Sequence, residues 1–115
     1  MLQRVKAESA TRKLLAQLPP LADLLRGSLL ERHTFHPSDV SCKTCVGGKG
    51  HHQWVLNVNY AGAKTRQITL HPHQVDQVRR QIANLDRVRQ ILEQICETNQ
   101  QRLRQQRDRL RSAHD

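Results

Sequence analysis

The sequence predicts an α+β fold: an N-terminal helix, a small antiparallel three-stranded sheet carrying a knuckle-like loop, and a long C-terminal helix. Three observations carry this expectation. "QWVLNVNY", 53–60, alternates Trp54, Leu56, Val58 and Tyr60 with other residues, the period-two pattern of a half-buried strand. "AGAK", with Gly62, then turns the chain into "TRQITL", 65–70, which completes a hairpin. After Pro72 neither Pro nor Gly interrupts the chain, and Gln, Arg, Leu, Ala and Glu dominate, which favours one helix to Ser112.

Taken in order, residues 4–18 read as a helix with Val5, Leu14, Leu15 and Leu18 on an apolar side. Pro19 and Pro20 stop it, because proline disfavours helical geometry in the residue before it. "LADLLRGS" reads as a short helical turn ending at Gly27. "SLLERHTF", 28–35, reads as the third strand. The segments are therefore 1–27 helical, 28–70 sheet and knuckle, and 71–115 long basic helix: one domain plus a helical extension. A helix from Pro72 onward is roughly 60 Å long at about 1.5 Å per residue, so much of it is expected to project from a small body.

The long helix carries a seam. Val75, Val78, Ile82, Leu85, Arg89, Leu92, Cys96, Asn99, Leu103, Gln106 and Leu110 recur at alternating steps of three and four, which is heptad spacing. Val88, Ile91 and Ile95 add a second stripe to the first half. The wide part is expected to pack on the hairpin, the N-terminal helix or both, with Cys96 as a buried thiol. Val78, Ile82, Leu85, Leu92, Leu103 and Leu110 are the seam residues offered to the fold or to a partner chain.

Composition limits the function classes. The 115 residues are 37% hydrophobic and 3% aromatic, which is little material for a large core, so a metal or a partner chain is expected to help. Nineteen Lys and Arg oppose ten Asp and Glu, and a formal charge of +9 favours polyanions, nucleic acid first. No apolar run reaches the ~18 residues of a membrane span, and no membrane partner is expected. The polar start "MLQRVKAESATRK" is no secretory signal, and three cysteines make no disulfide framework, so a reducing cytoplasm is the expected location.

"HPSDVSCKTCVGGKGHH", 36–52, poses a choice between zinc knuckle, redox pair and plain loop. Zinc requires about four Cys or His ligands, and the two-residue gap between Cys42 and Cys45 lets both sulfurs meet one ion. His33, His36, His51, His52, His71 and His73 are candidates to complete the set. If the three strands run up, down and up, His36, His51, His52, His71 and His73 gather at the loop end. His36 and His51 flank the cysteines at five residues on either side, with His71 or His73 in reserve as fourth ligand. A redox pair is disfavoured because two glycines follow closely and no βαβ pattern surrounds it. Asp39 is the only carboxylate between Glu31 and Asp76, so a zinc ion here is expected to be structural rather than catalytic, and the chain not an enzyme.

The order of motifs resembles a family of small bacterial proteins that accompany mobile elements and carry a domain of unknown function. The matching stretches are "LLRGSLLERH" at 24–33, the knuckle at 36–51, "HHQWVLNV" at 51–58, "AGAKTRQITL" at 61–70 and "VDQVRRQI" at 75–82, together covering roughly residues 20–100. His36 stands where the family has the first of three knuckle cysteines. Cys42 and Cys45 match the others, and His51 matches the histidine that opens the next strand. The resemblance therefore implies His36, Cys42, Cys45 and His51 as a zinc set, and a setting near transposases or other DNA-handling enzymes. The family's "G-P-Y-Y" is absent, and Trp54 is the only aromatic in that stretch.

Arginine marks the expected interface. Arg79, Arg80, Arg87 and Arg89 lie on the first half of the long helix. Arg102, Arg104, Arg107, Arg109 and Arg111 lie on the second, against Asp108 alone. The guanidinium fork matches phosphate oxygens, so salt-sensitive and weakly sequence-specific binding is expected, to DNA before RNA. Lys43, Lys49, Lys64 and Arg66 offer a second patch beside the hairpin, where Trp54 is placed to stack or to join the core. The plain alternative is a solvated basic face. The expected function is a non-enzymatic nucleic-acid-binding accessory protein. The alternative is an adaptor or dimerisation subunit that docks on a larger DNA-processing enzyme through the heptad seam.

Overall fold

The computed structural model describes residues 2–34 and 51–114. The elements are α1 (Leu2–Leu15), β1 (Ser28–Thr34), β2 (His51–Val58), β3 (Arg66–Leu70), a 3-10 turn (Pro72–Gln74) and α2 (Val75–His114). The fold class is thus α+β, with a short N-terminal helix, a three-stranded antiparallel sheet in the order β1-β2-β3 and a long C-terminal helix. The chain forms two compact units, Leu24–Ala83 and Met1–Asp23 with Asn84–Asp115, so that α2 contributes its first turns to one and the rest to the other.

In the sheet unit, β2 pairs with β1 from Ser28↔Asn57 to Thr34↔His51, and with β3 from Trp54↔Leu70 to Val58↔Arg66. Facing residues of an antiparallel pair share a face. One face therefore carries Leu29, Glu31 and His33, then His52, Trp54, Leu56 and Val58, then Ile68 and Leu70. The start of α2 covers it: Leu56, Val58 and Val78 form the buried cluster, with Leu25, Leu29, Leu70 and Ile82 packed around them. Apolar burial of this kind contributes roughly 1.5–3 kcal/mol per fully buried aliphatic side chain. The alternation of β2 read from the sequence is thus the packing pattern of its inner face.

Several boundaries move, each for a local reason. β2 ends at Val58 and Tyr60 is exposed, because the turn has already begun: Ala63 N donates to Tyr60 O at 3.1 Å, and Thr65 Oγ1 to Asn59 Oδ1 at 2.5 Å. Gly62 takes φ +74, which side chains rarely adopt. The segment expected to make a helical turn before Gly27 holds no helix. Its backbone is tied instead to α2, with Leu25 N donating to Gln81 O at 3.1 Å. Gly27, at φ +141, passes so close to β2 that a Cβ there would lie 2.8 Å from Leu56 Cδ1 and 2.9 Å from Asn57 O. A 3-10 turn starts α2: His71 Nδ1 accepts from His73 N, and Gln74 Oε1 accepts from His71 N.

In the helical unit, α1 and α2 lie antiparallel. Glu8, Thr11 and Arg12 of α1 share a groove with Ile95, Asn99 and Arg102, and in the segment after α1 Gln17 meets Arg87 and Asp23 meets Asn84, nearer the start of α2. The stripe of α2 that faces inward is Val88, Ile91, Ile95, Thr98 and Arg102, with Ile91 wholly buried. This corrects the seam reading. Leu92, at 51%, is exposed, and so is Cys96, expected to be a buried thiol, while Leu103, at 64%, lies on the later part of the seam offered to a partner chain. Both stripes are helical in period, and α1 covers the one that lies a residue earlier.

Candidate nucleic-acid interface

The basic residues singled out in the sequence fall on both units, and their surroundings differ. Lys43 and Lys49 lie outside the described residues. On the sheet unit, Arg79 projects from the second turn of α2, and its guanidinium carbon sits 5.5 Å from the centre of the Trp54 ring. Trp54 is half-buried, with the edge of the His52 ring against it at 5.4 Å. Its stacking face is thus partly taken by Arg79. Next to it, His52 Nε2 meets Glu31 Oε1 at 2.5 Å, and the His33 ring lies 5.1 Å away. Arg80 is exposed on the same helix.

Lys64 and Arg66 are exposed at the other end of the sheet. Arg66 is registered against Val58, so it stands four positions along β2 from Trp54, roughly 13 Å at about 3.3 Å per residue. A contact not read from the sequence joins them there. The guanidinium carbon of Arg26 lies 4.6 Å from the centre of the Tyr60 ring, and Tyr60 is 47% exposed. Arg26 is brought to this end because Gly27 lets the chain run tight against the end of β2. This end of the sheet therefore offers three cations and one aromatic ring. Only the fold reveals the grouping, since nothing in the spacing of Arg26 and Tyr60 pairs them.

On the helical unit, Arg87 is not a surface cation. It is half-buried, and its Nη2 donates to Gln17 Oε1 at 2.6 Å, which ties α2 to the turn that follows α1. Arg102 is half-buried in the groove beside Glu8. Beyond it every residue from Leu103 to His114 is exposed, while the helix continues. Arg107 spends its fork on Asp108, with Nη2 at 3.1 Å and Nε at 3.2 Å from Oδ1. Among the described residues, no ion pair engages Arg104, Arg109 or Arg111. They stand on opposite flanks of Leu103 and Leu110, because α-helical spacing sets Arg104 and Arg111 on one side and Arg109 on the other.

The proposed metal ligands His36, Cys42 and Cys45 lie outside the described residues. His51 opens β2, with its backbone opposite Thr34, so the two ends of the intervening segment start side by side. β3, on the other side of β2, runs toward this same end of the sheet and stops three positions short of it, since Leu70 pairs with Trp54; His71 and His73 follow with ring centres 4.9 Å apart. His71 Nδ1 is occupied as the cap acceptor, leaving Nε2 for any ligand. His33 and His52 share the inner face near that end. Among the described residues no group of three or more His, Cys, Asp or Glu side chains converges on a metal-sized site. Nor, among them, is any helix long and apolar enough to cross a membrane.

Comparison of the chain with protein-family models, with curated protein sequences and with solved structures finds no match.

Proposed function

We propose that this chain is a non-enzymatic accessory protein that binds nucleic acid, DNA before RNA, through the arginine-rich end of α2. One observation carries the reading. Arg104, Arg109 and Arg111 are exposed and, among the described residues, free of carboxylate partners, on a helical end whose every residue faces solvent. An isolated helical end of this length gains little from its own hydrogen bonds, so a partner that neutralises its charge also stabilises it. Guanidinium groups on two flanks of one helix suit phosphates on either side of a groove, and supply no base-reading pattern. The cations and exposed Tyr60 at the turn end of the sheet add a second contact of the kind single strands use, in which bases stack on an aromatic ring.

A structural zinc belongs to the same reading, held by His36, Cys42 and Cys45, with His51, or else His71 or His73, as fourth ligand. The support is the sheet register: His51 opens β2 beside Thr34, where the Cys-containing segment leaves and returns, and β3, which His71 and His73 follow, runs toward the same end. Zinc there would tie that end and add to folding stability. The motif resemblance to mobile-element-associated proteins supports a setting beside a DNA-handling enzyme, and the cysteine usage supports a cytoplasmic one. The exposed leucines of α2 favour a second reading, a protein-docking role for the seam.

The test is fluorescence anisotropy of labelled duplex DNA, single-stranded DNA and RNA across a salt series. The wild type is expected to bind with affinity that falls steeply with salt. Replacing Arg104, Arg109 and Arg111 together by Gln is expected to flatten the log–log salt slope by roughly 2–3, at about 0.7–0.9 for each phosphate no longer neutralised. Equal binding by this variant would refute the assignment.

A further inference from the structure

We infer that the exposed seam of α2 is covered by the same seam of a second copy of this chain, with the two helices antiparallel. The inference rests on the docking reading of that seam and specifies its occupant.

The seam is apolar enough to need a cover. Leu92, Leu103 and Leu110 are 51%, 64% and 55% exposed, and they line up with Leu85 and Cys96 along one side of the helix. α1 does not reach them, because it covers the neighbouring stripe of Val88, Ile91 and Ile95.

Charge decides the occupant and its direction. The flank away from α1, one residue after seam positions 85, 92, 99 and 106, carries Asp86, Glu93, Gln100 and Arg107. It runs from acidic to basic along the helix. Like flanks meet in an antiparallel pair, so the acidic half of one chain faces the basic half of the other. A parallel pair would instead set unlike flanks together, bringing Arg107 beside Arg102 of the partner subunit, and would place Arg89 against its own copy inside the seam.

The antiparallel register that matches leucine with leucine sets Leu92 against Leu103 of the partner subunit and Leu85 against Leu110 of the partner subunit. In this register Cys96 meets Asn99 of the partner subunit, and Arg89 meets Gln106 of the partner subunit, so that no seam cation faces another. Asp86 comes within about two residues, ~3 Å along the axis, of the level of Arg107 of the partner subunit. The flanking charges and the leucine spacing thus select the same arrangement.

Sedimentation equilibrium of the full chain, free of nucleic acid, is expected to show a monomer–dimer equilibrium. Leu103→Asp, at an exposed site, is expected to weaken dimerisation more than about a hundredfold while leaving the far-UV circular dichroism unchanged. Arg107→Glu is expected to weaken it, and Asp86→Arg in the same chain to restore it. In a Cys96→Ser background, Leu92→Cys chains mixed with Leu103→Cys chains should form the mixed disulfide on oxidation, identified by peptide mass mapping. Monomer at all concentrations overturns the inference whether or not nucleic acid binds. Self-linked Leu92→Cys and Leu103→Cys chains in place of the mixed product overturn its antiparallel direction.

Discussion

Arg32 reaches across the central strand to Gln67, its Nη1 donating to Gln67 Oε1 at 3.4 Å. The two residues sit on the outer strands, registered against Gln53 and Asn57, and Val55 lies between those positions on the same face. Val55 is 2% exposed although it faces away from the cluster of Leu56, Val58 and Val78. Among the described residues, the Arg32 side chain crosses the strand on this face, with Leu30 and Thr69 registered on either side of Val55, and the long stem is taken to cover it. Arg32→Ala should therefore expose Val55 and cost about 1 kcal/mol in chemical denaturation. Arg32→Met, which keeps the stem and drops the charge, should recover most of it. Equal losses in the two variants would show that the hydrogen bond, and not the covering stem, matters.

Gly27 and Gly62 both take positive φ, but their neighbourhoods differ. A Cβ at Gly27 would press on Leu56 Cδ1 and Asn57 O at under 3.0 Å, whereas one at Gly62 meets nothing within 4 Å. Gly62→Ala should cost about 1 kcal/mol, from backbone strain alone. Gly27→Ala should cost more, about 2–3 kcal/mol, because Asn57 O belongs to the strand ladder and cannot swing aside. Parallel thermal melts of the two variants check the order, and a larger loss at Gly62 would contradict it.

Ile91 and Leu92 are neighbours in the chain with opposite surroundings. Ile91 is 0% exposed and Leu92 51%. Ile91→Ala should lose about 2–4 kcal/mol of stability, since it removes buried methyl groups and leaves a cavity. Leu92→Ala, measured at a dilution where chains are single, should lose about 0.5 kcal/mol or less. Urea denaturation with circular dichroism at the helical band reads both. A Leu92 loss as large as that of Ile91 would reverse the assignment of the two stripes.

The zinc reading separates the three cysteines. Purified chain should carry one zinc per polypeptide by elemental analysis. Cys42→Ser with Cys45→Ser should abolish it, since thiolates are needed to hold the ion. Cys96→Ser should leave the metal content unchanged, because Cys96 is exposed on α2, in the other compact unit from the edge strands. A chelator should lower the melting temperature of the wild type and not that of the double variant. Full zinc retention in the double variant would refute the ligand set.

Much of the architecture was legible in the sequence, for a local reason. The period of Trp54, Leu56 and Val58, the turn residue Gly62, and a helix free of Pro and Gly each depend on neighbours along the chain. The order β1-β2-β3 follows from two antiparallel connections in succession. The element ends were less legible, because a hydrogen bond such as that of Thr65 with Asn59 decides where β2 yields to its turn.

What only the tertiary structure decided is which surfaces meet. The sequence of α2 holds two apolar stripes of equal period, and periodicity cannot rank them. The docking of α1 does, burying Ile91 and leaving Leu92, Cys96 and Leu103 outside. The same holds for the cations: composition counts Arg87 and Arg104 alike, yet packing turns the first toward Gln17 and leaves the second in solvent. The sequence by itself determined the elements and the excess of positive charge. The contacts between elements, which depend on residues distant in the chain, determined which apolar and charged groups remain for a partner.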